Sequence, residues 1–171
     1  MSWSERRRAL LALGMVAVTA SCGFQLRGRV DLPFERIYVE GMEYSPFTAQ
    51  LRRAIETGSA TKLADNAKDA QATLTLLGES QERVILALSG GGRVREFQLR
   101  YRVSFQVNDG KGKTWLPADE VVLVRDLTYD DTQVLAKEAE AQLLFKDMQN
   151  DAVIQVLRRI QAIRASSTLD S

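Results

Sequence analysis

The sequence predicts an α+β fold, a small antiparallel (mixed) sheet of about four strands with two helices packed on one face. Three observations carry that prediction. From Phe97 to Val107 every second residue is apolar, as in a strand with one buried and one solvated face. From Ala141 to Ile163 apolar residues recur every three or four positions, as in a helix with one buried stripe. The predicted elements follow the order strand, helix, several strands, long helix, which segregates the helices to one side of an antiparallel sheet.

The first strand is Phe34 to Glu40, rich in β-branched and aromatic residues and closed by Gly41. Ser45-Pro46 then starts a helix, with Ser as N-cap and Pro at the first helical position. Phe47, Leu51, Ala54 and Ile55 form its apolar face, and Gly58 marks its end. Asp65 to Gln71 is polar and reads as a loop. Ala72–Leu77 and Arg83–Leu88 are strand segments, and Ser89-Gly-Gly-Gly-Arg93 is a turn before the alternating strand. Asn108 to Gly112 is a second turn, followed by a strand from Glu120 to Tyr129. From Asp131 onward there is no Gly and no Pro. Thr132 to Arg164 reads as a single helix of about 50 Å. Ala141, Phe145, Met148, Ala152, Val156, Ile160 and Ile163 form its stripe, widened by Val153 and Leu157. Asp130 and Asp131 stand near its positive end, and Arg158, Arg159 and Arg164 near its negative end.

The chain has 171 residues, enough for one domain with a real core. With 23 basic and 22 acidic residues it lacks the bulk positive charge of a nucleic-acid binder. It contains no histidine, which excludes Ser-His and Cys-His nucleophile pairs, an imidazole base and His metal ligands. Its single cysteine excludes an intramolecular disulfide and a thiolate-rich metal site. Acidic pairs such as Asp130-Asp131 and Glu138-Glu140 could do acid/base work, but acids at a helix start serve more often as caps. The composition therefore argues against most common enzyme chemistries, and the expectation is a protein that is not an enzyme and needs no cofactor.

Residues 1–21 read as a signal peptide. Arg6 to Arg8 precede the 12-residue apolar run Ala9–Ala20, which suits a signal-peptide core and is too short to cross a bilayer. Ser21, Cys22 and Gly23 follow, resembling a bacterial lipobox. Such signals imply cleavage before Cys22 and covalent lipid on its thiol. The other readings are a free or buried Cys22 and an uncleaved anchor. Cleavage would leave a single domain at 22–164 and a flexible tail at 165–171. Several acyl chains on one residue would anchor it durably. Gly23, in place of an Asp, resembles the pattern of lipoproteins sorted to the outer membrane.

Arginine is concentrated in one stretch, with Arg83, Arg93, Arg95, Arg100 and Arg102 against only Glu82 and Glu96. Guanidinium groups are shaped for two-point contact with phosphate. On a lipid-anchored envelope protein this patch suggests a phosphorylated glycolipid or an anionic partner surface. The alternative is a solvated sheet face with each Arg paired to a nearby Glu.

Several segments together resemble the lipopolysaccharide-assembly lipoprotein family LptE. They are the opening Cys22-Gly-Phe-Gln-Leu-Arg-Gly28, the strand Arg95-Glu-Phe-Gln-Leu-Arg-Tyr101, and the strand-to-helix run from Val124 to Lys137 with its continuation through Asp147 to Ile154 and Arg158. The resemblance implies two helices on a small sheet. It implies a periplasmic-face outer-membrane lipoprotein that plugs the β-barrel LptD, helps that barrel assemble, and binds lipopolysaccharide for insertion into the outer leaflet. It implies lipopolysaccharide contact by a basic residue near the turn before the central strand, here Arg93, and by Lys137 early in the long helix. Arg95, Arg100 and Arg102 join the candidate set from the arginine stretch. The runner-up is an adaptor of another outer-membrane or peptidoglycan-linked machine, without lipopolysaccharide binding. A periplasmic glycan hydrolase using two carboxylates is a third reading.

Overall fold

The computed structural model describes residues 30–42 and 44–167, with the backbone alone at 164–167. The elements are β1 (Arg36–Glu40), α1 (Pro46–Gly58), β2 (Lys62–Leu63), a 3₁₀ turn at Ala67–Asp69, β3 (Ala72–Leu88), β4 (Val94–Asn108), β5 (Thr114–Thr128) and α2 (Val134–Ser167). The signal peptide at 1–21, Cys22 and residues 168–171 of the predicted tail lie outside the described residues.

The five strands form one sheet in the order β2-β1-β3-β4-β5. β3, β4 and β5 are an antiparallel meander, whereas β1 runs parallel to both β2 and β3. The sheet is therefore mixed, with one strand more than the four expected. The extra strand, β2, is only two residues long and has no sequence signature of its own. The segments 72–77 and 83–88 are one 17-residue strand with a register shift between Leu76 and Gly78. The last strand begins six residues before Glu120, and Pro117 sits where its register against β4 shifts. The long helix starts at Val134 and continues through Ser167, into what reads as tail.

Alternation decides the layers. Leu99, Tyr101, Val103, Phe105 and Val107 are fully buried, while the residues between them stay partly exposed. Their neighbours Leu74 on β3 and Val121, Leu123 and Leu127 on β5 extend this apolar face. The α1 residues Phe47, Leu51 and Ile55 join this core, as does the α2 stripe from Ala141 to Ile163. Both helices thus bury against one face of the sheet, and the other face remains open. Between the helices, Gln149 donates to Gln50 at 3.0 Å, and Gln50 donates to Asn150.

Local chemistry sets the start of α1. The Ser45 hydroxyl accepts from the Thr48 N–H at 3.2 Å, and Pro46 supplies the fixed backbone angle of the first turn. Ser45 also donates to Glu79 at 2.6 Å, and Tyr101 donates to the other oxygen of that carboxylate at 2.6 Å. Glu79 therefore ties the cap of α1 to the middle of the sheet. The end of α1 is closed by Ser59, whose N–H and hydroxyl both donate to the Ile55 carbonyl.

β5 is a long free edge, and side chains occupy part of it. The Glu120 N–H donates to the Asp119 carboxylate at 2.8 Å, and Arg159 of α2 donates to the Glu120 carbonyl at 2.8 Å. Arg125 donates to the Val124 carbonyl at 2.9 Å and to Asp151 of α2 at 3.0 Å.

Two predictions concern this frame. A Cβ at Gly41 would lie 2.5 Å from the Thr48 hydroxyl and 2.8 Å from its methyl, and Thr48 is buried. Gly41→Ala should cost about 1–3 kcal/mol in urea unfolding through this overpacking. Tyr101→Phe leaves Glu79 one partner short and should cost about 1–3 kcal/mol at neutral pH. Burial first, and then the hydrogen bond to Glu79, push the Tyr101 phenol well above its ordinary value of 10.0. In the unfolded chain it ionises near that value, so its stabilisation is complete below about pH 10 and declines as pH rises beyond it. The gap between wild type and Tyr101→Phe should narrow above pH 10 in parallel unfolding curves.

Candidate functional site: a basic distal end

Three chain segments meet at the end of the sheet farthest along the β3–β4 hairpin. The hairpin turn is closed by the Ser89 N–H donating to the Arg93 carbonyl at 2.7 Å and by Gly92 donating to the Ser89 carbonyl at 2.9 Å. Gly92 has φ +76°, a left-handed conformation that glycine adopts without strain. The Tyr129 N–H donates to the Arg95 carbonyl at 2.8 Å, carrying the β4–β5 pairing one step past the end of β5. Asp130 then turns the chain into α2, its carboxylate accepting from the Thr132 N–H at 2.9 Å and the Thr132 hydroxyl at 2.8 Å. Gln133 N–H donates to the Asp130 carbonyl at 3.1 Å, and Lys137 N–H to the Gln133 carbonyl at 3.0 Å. These bonds fix where Arg93, Arg95 and Lys137 stand.

Asp131, Glu138 and Glu140 each hold a cation at this end. Arg93 pairs with Asp131 at 3.1 Å, and Lys137 with Glu140 at 2.8 Å. Arg83 forms a two-point contact with Glu138 at 2.6 and 3.1 Å. That contact lowers the Glu138 carboxyl and raises the Arg83 guanidinium, the hydrogen bond between them being the largest cause in each. Arg83 also lies 5.4 Å over the Phe97 ring, which meets Tyr129 edge-on at 5.1 Å. Hydrogen bonds from Thr132 lower the Asp130 carboxyl, and the positive charges of Arg95 and Lys137 lower it further.

Of the sequence candidates, Arg93, Arg95 and Lys137 come together here. Arg93 is 74% exposed at its side chain, and Lys137 only 20%. Arg95 is exposed and has no ion pair within 4 Å among the described residues. Arg100 and Arg102 stand apart, on the open face of β4. Arg100 donates to Gln98 at 2.8 Å, and Arg102 lies 3.8 Å from both Glu82 and Glu120. The Arg102 side chain is 36% exposed, and its Nε is buried without a hydrogen-bond partner among the described residues. The brace Arg83–Glu138 and the pair Phe97–Tyr129 went unrecognised, since their partners are 55 and 32 residues apart in sequence. No His/Cys/Asp/Glu group capable of holding a metal ion occurs among the described residues, and no described helix is long and apolar enough to cross a membrane.

A family model, LptE, described as lipopolysaccharide-assembly, matches residues 34–160. The chain belongs to the LptE family. The match spans α1, the whole sheet, the distal end and α2 as far as Ile160. The chain is 29% identical to the LPS-assembly lipoprotein LptE of Yersinia enterocolitica, over 95% of this chain and 79% of that one. Among solved structures, lipoprotein B of Nitrosomonas europaea superposes with a TM-score of 0.73 and 39% identity, covering 84% of this chain and 93% of that one. The rare lipoprotein B of Shewanella oneidensis superposes with a TM-score of 0.63 and 31% identity, covering 79% and 97%. Both superpositions support the fold described above.

The brace gives a further prediction. Arg83→Glu should loosen the first two turns of α2, read as amide hydrogen exchange faster by roughly three- to tenfold at residues 138–141. Adding Glu138→Arg to that variant should restore most of the protection.

Proposed function

We propose that this LptE-family chain is a lipid-anchored outer-membrane lipoprotein that binds lipopolysaccharide and seats inside the LptD barrel, which it helps to assemble. In this reading Cys22 carries the lipid, the only covalent addition the protein needs, and the domain does no covalent chemistry. The observation that carries the reading is the convergence of Arg93, Arg95 and Lys137 at one end of a domain of this family.

The geometry supports a mode of action. Arg93 and Lys137 are held in place by carboxylates, so they meet an incoming anion already oriented. Arg93 has further N–H donors beyond the one engaged by Asp131, and these suit a second, phosphate oxygen. Arg95 adds a nearby positive charge. Lipid A phosphates would replace the divalent ions that bridge neighbouring lipopolysaccharides with fixed protein cations, loosening an aggregate for passage. Arg100 and Arg102 offer additional charge on the open face.

Arg93→Glu combined with Lys137→Glu should weaken lipopolysaccharide binding by about ten- to hundredfold, with the thermal midpoint within a few degrees of wild type. Binding to immobilised lipopolysaccharide at two salt concentrations reads the first, and a melting curve the second. Unchanged lipopolysaccharide binding with an intact fold would overturn the site. Co-purification of a large outer-membrane barrel with the tagged full-length chain tests the plug, and recovery with a different machine would promote the adaptor reading.

A further inference from the structure

We propose that the aliphatic end of the β3–β4 hairpin takes acyl chains of the same lipopolysaccharide whose phosphates the adjoining cations engage, an inference that rests on the function proposed above. Leu99 on β4 and Leu127 on β5 are the last buried residues of the core toward this end. Leu127 shares a cross-strand row with Phe97 and Ile85. At this row and around it, Val84, Ile85, Leu86 and Leu88 of β3 remain 39–59% exposed. Their placement is two-sided. Ile85 lies opposite Phe97 on the helix side of the hairpin, and Val84 lies opposite Gln98 on the open side. Register shifts between Ile85 and Ala87, and again between Ala87 and Leu88, turn the arm and leave Leu86 without a cross-strand partner. At the start of α2, Val134 is also exposed, and Leu135 is 88% exposed.

Packing within the domain covers only part of these side chains and leaves much of each aliphatic surface open. Ser80 and Glu82 are polar where the same strand leaves the core, and elsewhere in the sheet only Leu77, Val122 and Val124 are exposed large aliphatics among the described residues. Exposed aliphatics concentrated at one projecting end mark a contact surface. The neighbouring charges define its occupant. Arg93 and Arg95 sit on the β4 arm of the same hairpin, directly across the turn from Leu88, which pairs with Val94. A cationic arm beside an aliphatic arm complements a molecule with anionic groups at the root of several hydrocarbon chains. The lumen wall of an outer-membrane barrel is polar and would gain little from four aliphatic side chains. A phosphorylated acylated glycolipid satisfies both arms at once.

The test uses the full-length protein in mild detergent and the variant Ile85→Ser/Leu86→Ser/Leu88→Ser. All three residues are exposed, so the variant should keep the wild-type melting curve. The single change Leu88→Gln provides the same comparison at about threefold effect if the triple variant unfolds. The probes are intact lipopolysaccharide, its fully deacylated but still phosphorylated saccharide, and phospholipid vesicles. The triple variant should bind intact lipopolysaccharide about tenfold more weakly. It should bind the deacylated saccharide as wild type does. Undiminished binding of intact lipopolysaccharide by the folded variant overturns the acyl contact and leaves the phosphate site standing. Failure of the wild type to bind either saccharide form overturns the proposed function itself. Equal, hairpin-dependent binding to phospholipid vesicles overturns the assignment in favour of general membrane contact.

Discussion

Strand β4 is the constraint on which the other elements depend. It is hydrogen-bonded on both sides, to β3 and to β5, and its side chains divide the molecule into two environments. The residues from Leu99 to Val107 on one face are the floor onto which both helices settle. The polar residues on the other face keep that side open. A one-residue slip of β4 would exchange the two sets and leave neither helix a surface to cover. The site depends on the same strand, because β4 begins in the turn that presents Arg93 and Arg95. Its pairing with β5 places Tyr129 and Asp130 beside them, and from there α2 brings Lys137.

Much of this was legible in the sequence where a periodic pattern coincided with burial. β4 and α2 are long and strictly periodic, and the structure follows the pattern residue for residue over 97–107 and 141–163. Legibility failed where polar residues face inward. Gly78 to Glu82 reads as an interruption of β3, yet Glu79 belongs to the helix side, where Ser45 and Tyr101 satisfy its carboxylate. Such a partner lies 34 residues away in one case and 22 in the other, beyond any local window. β2 consists of two residues held by a strand 26 positions earlier, and two residues carry no period. Pro117 obscured the first third of β5 by occupying a register shift, a position where proline is tolerated.

The site was legible only in part. Arginine enrichment singled out the stretch 83–102, but composition does not say which guanidinium groups share a face. Strand parity separates Arg100 and Arg102 from Arg95, and the hairpin turn separates Arg93 from both. Lys137 entered through family resemblance, and its nearness to Arg95 follows from the chain reversal at Asp130. The acids were harder still to place. Asp131, Glu138 and Glu140 follow one another closely in sequence, yet they serve three different cations on the hairpin and the helix.

The free edge of β5 has a consequence for how the molecule behaves in company. A sheet edge offers a template on which another strand can lay itself, and concentrated chains with open edges string together. Here two of the outward carbonyls are already hydrogen-bonded, to the guanidinium groups of Arg159 and Arg125. The Glu120 N–H is held by Asp119, and Pro117 has no N–H to offer. A strand arriving from another molecule would have to evict charged side chains before gaining its first ladder bonds. Around residues 119–125 the edge is thus guarded by charge rather than offered for pairing.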